Sequence, residues 1–507
     1  MSGEAPDGPS LQRARGDSLA HGSSRLFAAK AFFLGAGLVQ QVLLPHALGL
    51  GGYGMLARIL APLNVVNNVA VGASMQSASK ATSSGNTSLG AVLRVQSGLA
   101  LVVVGALTLA APFVAAFQHA PDLASPLRLG AILSGLYVVY ASLVGVLNGR
   151  QRFAAQAGLD MTAATLRTVA LVGGGLVGAR LVGSGPLGAV VGAVLAGGAM
   201  VLIAGTIVGP QGAFAGSSEG TGGLIRTVTA LAGAQLVTSL LLQVDVLLLG
   251  RVLALRAVDS SAADRTIGVY RACQLFSLLP YQLVASVALT LFPLVAKVSA
   301  ERPASELRHL VRRGLRLGIL LATILAAVVL ALPGPLLRLT FGPDVASLGL
   351  SILRPLAASQ ALLVVGSLAA TVLVALGETK GATLAGTAGL GVIVSGVLVV
   401  GPGVDATRGV AMWLGAGMGA QALIAFAVLL RRIPEAMPWG TFFRASIVLG
   451  GALLVPSQAL GARFAALLSA PIVAAAAAAA LALSGEWTRA EYTQLFALAR
   501  RRRTPGR

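Results

Sequence analysis

Apolar runs of about 20 residues recur from one end of this chain to the other, each long enough to cross roughly 30 Å of hydrocarbon as a helix. That pattern removes most folds from consideration. In lipid the backbone must satisfy its own hydrogen bonds, so a chain made of such runs folds as packed helices. The short alternating strands of a membrane barrel are missing. Composition agrees: of 507 residues 56% are hydrophobic and only 11% charged, with a mean hydropathy of +0.85. A water-soluble domain carries about 25% charged residues.

Reading the runs between breaks predicts spans near 26–47, 52–77, 89–117, 127–148, 156–179, 186–208, 224–251, 267–298, 311–332, 349–376, 382–400, 408–430, 441–460 and 464–483. The expected fold is therefore an all-α polytopic membrane protein of about 14 transmembrane helices. Residues 1–24 are polar and rich in Gly, Ser and Pro, which predicts a disordered tail. The apolar segment after it is too long for a signal-peptide core and lacks a clear cleavage site. Lys and Arg concentrate in one set of loops and in both tails, including Arg431–Arg432 and the run Arg500–Arg503. The excess places both termini in the cytoplasm.

The net charge of +20 has the same explanation. The basic residues are spread over short loops without interleaved aromatics, which argues against nucleic acid as a partner. A single cysteine, Cys273, allows no intrachain disulfide, and one Cys with four His argues against structural zinc. No phosphate-binding Gly-x-x-x-x-Gly-Lys-Ser/Thr loop is present, so ATP hydrolysis is not expected, and no cofactor is implied.

A repeat runs through the chain. Tyr53 and Tyr270 are 217 positions apart (270 − 53), and Lys80 and Lys297 are also 217 apart (297 − 80). Each pair brackets one span with a Gly-Tyr or Val-Tyr opening, a proline in its first half and a closing lysine. The expected organisation is an N-terminal six-helix bundle (25–210), a linker (211–223), a second bundle (224–432), two extra helices (433–484) and a basic tail (485–507). An offset of six spans keeps both lysines on one side, so the repeats are parallel, and two such halves predict a central cavity and alternating access.

Polar residues gather in the first, second, seventh and eighth spans. Tyr270, Gln274, Ser277 and Tyr281 follow i, i+4, i+7, i+11, one face of a helix, with Arg271 beside them. Gln235, Thr238 and Asp245 share another face; the second span carries Arg58, Asn64, Asn67 and Asn68 around Pro62, and the first carries Lys30, Gln40 and Gln41. Such groups turn away from lipid toward a partner or a wet cavity. Asp245, inside "LLLQVDVLLLGR", is then a structural ion pair near Lys30, Arg58 or Arg271, a carboxylate that couples transport to H⁺ or Na⁺, or a residue at the membrane edge. Asp160 and Arg167, seven apart on one helix face, are each expected to meet a neighbouring helix. The cations suit an anionic ligand: Arg offers bidentate bonds to phosphate and Lys a point charge. The candidate substrate-binding residues are Lys30, Arg58, Asn64, Asn68, Tyr270, Arg271 and Gln274.

Several segments resemble a known family in order and spacing. "LPHALGLGGYGML" with "GASMQSASKATS", then "SLVGVLNGRQRFAAQAGLDMTAATLRTVAL", then "GVYRACQLFSLLPYQLVASVALTLFPLVAK" are similar to the polysaccharide-transport branch of the multidrug/oligosaccharidyl-lipid/polysaccharide exporter superfamily. That branch includes O-antigen flippases, the lipid II flippase and stage V sporulation protein B. The resemblance implies two six-helix bundles with extra helices in a bacterial inner membrane. It implies translocation of an undecaprenyl-pyrophosphate-linked oligosaccharide from the cytoplasmic to the periplasmic leaflet, without catalysis. Membrane lipids, glycosyltransferases and a polymerase of a polysaccharide pathway are the partners it suggests. One departure is "HALG" with His46, where relatives carry a basic Arg-Leu-Leu-Gly; Arg58 is the candidate replacement. A cation-coupled small-molecule extruder of the same fold and a membrane-embedded glycosyl polymerase are the alternatives. The first favours acidic, aromatic cavities, and the second needs large catalytic loops that this chain lacks.

Overall fold

The computed structural model describes residues 9–83, 88–209, 221–400, 405–456 and 465–486, with side chains from Phe32 onward except those of Thr221, Ala234, Leu289 and 465–468. The described residues are helical with short connections and contain no strand. Among them, eleven helices are long and apolar enough to cross a membrane, and two shorter apolar helices follow. The chain divides into two compact units at Gly268–Val269.

The first unit opens with α1 (Pro9–Ser83), which is two helices joined end to end at Gly49. Its φ of 70° lies in the left-handed region that favours glycine, so the break falls between the first two expected spans. Next come α2 (Leu89–Phe117), α3 (Ala124–Gly149), α4 (Phe153–Leu181) and α5 (Gly185–Val208). Ser88 and Ser184 cap α2 and α5 by accepting from Ala91 and Leu187 N–H. Helices α4 and α5 cross where Gly174 and Gly178 meet Gly188 and Gly192; a Cβ on Gly188 would lie 2.3 Å from the Gly174 carbonyl oxygen. This is small-xxx-small packing, in which backbone contact replaces the hydrophobic effect that lipid removes. Leu44, Leu56, Ile59, Leu63, Leu127 and Leu171 form the core of the unit.

The expected span 224–251 is instead two helices, α6 (Thr221–Leu241) and α7 (Val244–Leu255), broken at Leu242–Gln243. The expected span 267–298 is likewise α8 (Ser260–Ser277) and α9 (Leu279–Glu301). Pro280 sits in the first turn of α9, where it disfavours helical backbone just before it. Packing assigns α6, α7 and the first turns of α8 to the first unit. The repeat boundary at 211–223 and the packing boundary at Gly268 are different properties, and 211–220 lie outside the described residues.

The second unit continues with α9, α10 (Ala304–Ala331), α11 (Pro333–Phe341), α12 (Pro343–Ala375), α13 (Thr379–Leu398), α14 (Ala406–Arg432), α15 (Trp439–Leu454) and α16 (Ala465–Leu483). Val295, Val311, Leu315, Leu368, Val372 and Leu429 make its core. Large apolar side chains such as Leu101, Phe113, Leu202 and Leu423 stand exposed. Patches of this kind suit a surface that meets acyl chains rather than water.

Candidate functional site: a polar cavity in the N-terminal unit

Inside the first unit five helical segments enclose a cavity of about 440 Å³. Past Pro62, α1 contributes Asn64, Asn67, Asn68 and Gly72, spaced i, i+3, i+4, i+8 and so on one face. Helix α4 adds Asp160, Ala163 and Arg167, also on one face, and α3 adds Tyr137 and Tyr140. Phe33 from the first half of α1 and Met200 from α5 complete the lining.

The Arg167 guanidinium is held from two sides. Its Nε donates to Gln40 Oε1 at 3.2 Å, and its Cζ lies 4.9 Å from the centre of the Phe33 ring. Stacking on an aromatic face fixes a guanidinium plane while leaving its other N–H groups available to a ligand. Asn67 is buried, and its Oδ1 has no hydrogen-bond partner among the described residues. A buried acceptor left open is costly unless water or a ligand meets it. Gln235 of α6 packs against Gly72, where a Cβ would come within 2.1 Å of its Oε1. The cavity thus presents one guanidinium, one carboxylate, three amides and two phenols, enough to bind hydroxyl-rich or phosphate-bearing groups.

Arg58 does not line this cavity. Only 2% exposed, it joins three elements: Nη1 donates to Asp264 Oδ1 of α8 at 2.7 Å, Nε to Gln118 Oε1 at 3.1 Å and Nη2 to the Gln118 carbonyl at 2.7 Å. Gln118 is the buried C-cap of α2. Next to it, Arg251 of α7 lies 2.8 Å from His119 Nδ1. Helices α1 and α8 touch closely here, because a Cβ on Gly54 would lie 1.7 Å from the Asp264 carbonyl oxygen and one on Gly268 2.1 Å from that of Leu50.

Of the residues expected from sequence, Asn64 and Asn68 come together in the cavity. Asp245, 1% exposed in the first turn of α7, accepts from the Val246 N–H at 2.8 Å. Its carboxylate sits at the positive end of α7. The Arg58 carboxylate partner is Asp264, which the sequence placed in a connecting loop. Tyr270, Arg271 and Gln274 belong to the second unit, where Arg271 Nη1 donates to Gln274 Oε1 at 2.6 Å and both Tyr270 and Gln274 are buried. Lys30 lies in the first half of α1, and its side chain is outside the described ones. Sequence reasoning missed Tyr137, Tyr140 and the cavity-lining place of Arg167. The seven-residue step from Asp160 to Arg167 was the available signal, and it does not say which neighbour each will meet.

The polysaccharide biosynthesis protein family model matches residues 19–299, more than half of the chain. This chain belongs to that family. No curated protein matches it. As a polysaccharide biosynthesis family member it shares a fold with the lipid II flippase MurJ in an inward closed conformation, at a TM-score of 0.68 and 16% identity over 89% of this chain and 97% of MurJ. An inward-facing multidrug resistance MATE transporter of the MOP superfamily matches at 0.63 and 14% identity, over 79% of this chain and 94% of that one. A MOP superfamily transporter from Pyrococcus furiosus, described as having a binding pocket of reversed polarity, matches at 0.54 and 15% identity, over 83% and 96%. The family member described here is thus a multi-pass membrane protein with the fold of flippases and transporters.

Proposed function

We propose that this protein is a flippase that carries an undecaprenyl-pyrophosphate-linked oligosaccharide from the cytoplasmic to the periplasmic leaflet of a bacterial inner membrane by alternating access. The observation that carries this reading is the N-terminal cavity, in which Arg167 stands beside Asn64, Asn67, Asn68 and two tyrosines. Amides and phenols bond sugar hydroxyls, aromatic faces stack on sugar rings, and the guanidinium takes a phosphate oxygen. The polyprenyl tail stays in lipid, so only the head-group needs shelter, and no covalent step is required. Both termini face the cytoplasm. Glycosyltransferases and a polymerase supply and consume the substrate.

Asp160 in the same cavity favours a second reading, a cation-coupled extruder of small molecules. Proteoliposomes loaded with several lipid-linked saccharides separate the two. Wild-type protein should expose the saccharide to an external lectin or periodate, and Arg167→Ala and Asn68→Ala should slow this by about tenfold each, the loss of one charge-assisted or buried bond. Drug-dependent cation flux without saccharide flipping would select the extruder instead.

A further inference from the structure

A second, smaller cavity lies at the start of α10, about 200 Å³ in volume and lined by Ser305, Arg308, His309, Arg312 and Glu435. Arg308, Arg312 and Arg316 are spaced four apart, so they form one stripe along the helix. The two outer members are engaged. Arg308 approaches Glu435 at 3.8 Å, and Arg316 bonds Glu486 at 2.6 Å. Between them Arg312 has no ion pair or hydrogen bond among the described residues, and neither do the ring of His309 or the hydroxyl of Ser305. Pro303 at the N-cap supplies no side-chain acceptor, and in the first turn its carbonyl takes the Glu306 N–H at 3.1 Å.

The depression is open, since Ser305, Arg308, His309, Arg312 and Glu435 are all exposed; it presents a guanidinium, an imidazole and a hydroxyl that no described protein group meets, against one carboxylate already shared with Arg308. Its place along the helix matters too. Charged residues end at Arg316 and the apolar run of α10 begins at Leu317, which sets the cavity at the water–lipid boundary of a span. Trp439, exposed at the start of α15, is the side chain that favours that boundary. The following tail, 487–507, carries six arginines and one glutamate, so it does not complement the site.

We infer that Ser305, His309 and Arg312, with Arg308, form a binding site for the phosphate of an anionic ligand at the membrane surface. That chemistry has two sources, a phospholipid head-group and free phosphate. Basic pockets between membrane helices recognise head-groups through such contacts. The inference does not depend on the flippase reading.

The test uses the full-length protein in detergent with three probes: phosphatidylglycerol, phosphatidylcholine and sodium phosphate. Native mass spectrometry counts retained lipid, and thermal melting reads stabilisation. Wild type should retain phosphatidylglycerol over phosphatidylcholine. Arg312→Gln and His309→Ala should each lower that retention about fivefold without changing the melting of lipid-free protein, since neither side chain has a partner to lose. Arg313→Ala removes the same charge from the same turn but outside the cavity, and it should retain phosphatidylglycerol like wild type. Stabilisation by sodium phosphate that Arg312→Gln abolishes assigns the site to free phosphate; its absence beside a lipid effect assigns it to the head-group. Equal losses in Arg312→Gln and Arg313→Ala, or no loss in either with no phosphate effect, overturn the site.

Discussion

Arg58 gives up three hydrogen bonds if it is truncated, while Asp264 loses its ion-pair partner in a place that is mostly buried. Removing one partner of a buried ion pair costs about 3–5 kcal/mol, because the other is left uncompensated. Arg58→Ala should therefore lower the melting temperature in detergent markedly. The double variant Arg58→Met with Asp264→Leu should recover much of the loss, since two apolar residues leave no stranded charge. Equal melting of the single and double variants would deny the pair its structural role. Arg58→Lys should also fall short of wild type, because one ammonium cannot span Asp264 and both oxygens of Gln118. Arg167 behaves differently: it is held by Gln40 and stacked on Phe33, and among the described residues no carboxylate pairs with it at bonding distance. Arg167→Lys should leave stability near wild type and reduce saccharide flipping, a separation that paired melting and transport measurements can read.

At the scale of helices, close contacts hold the ends together. Gly54 lets α1 lie directly against α8, and Gly54→Val would drive its side chain into the Asp264 carbonyl. The helices would have to part, at an expected cost on the order of 1–3 kcal/mol, visible as an earlier melting transition. At the end of α16 a different device works. Glu486, buried behind Gly485 with its φ of 82°, bonds Arg316 of α10 at 2.6 Å and Arg444 of α15 at 2.7 Å, and accepts from the Thr441 hydroxyl. One carboxylate therefore fastens three helices. Burial alone would push it up, but the bonds from Thr441, Arg444 and Arg316 outweigh that and hold it below its ordinary value. A carboxyl with a lower value in the folded state binds protons more tightly when unfolded, so acid favours unfolding. Its contribution should be complete at neutral pH and fade as pH falls below about 4.5. Glu486→Gln should melt earlier at pH 7, by about 2 kcal/mol, and lose part of the acid-dependent drop below about pH 4.5 that the wild type shows. An unchanged acid profile would remove this staple from the account.

Across the whole molecule, Cys273 is the single cysteine and is fully buried. The native protein should therefore resist a soluble maleimide until it is unfolded, which makes single introduced cysteines readable reporters of sidedness. Ser18→Cys and Thr504→Cys should both be labelled from the cytoplasmic side; labelling of either from outside would overturn the proposed orientation. Much of the helical layout was already in the sequence. Apolar runs set where helices lie, as in Leu89–Phe117, since the cost of unpaired backbone in lipid leaves no other solution. Glycine marked the break at Gly49, and Pro280 carried the same kind of signal inside a run that hydropathy alone reads as continuous. The asparagines after Pro62 were legible as a polar face for a different reason: a helix repeats every 3.6 residues wherever it sits. What tertiary structure decided was the choice of partner. Asp264 meets Arg58, Gln40 and Phe33 meet Arg167, and α6 and α7 pack with the first unit. Periodicity fixes the direction in which a side chain leaves its own helix, but the group it reaches depends on how neighbouring helices rotate and cross. Those angles are set by packed contacts between residues far apart in the chain, such as Gly54 against Asp264.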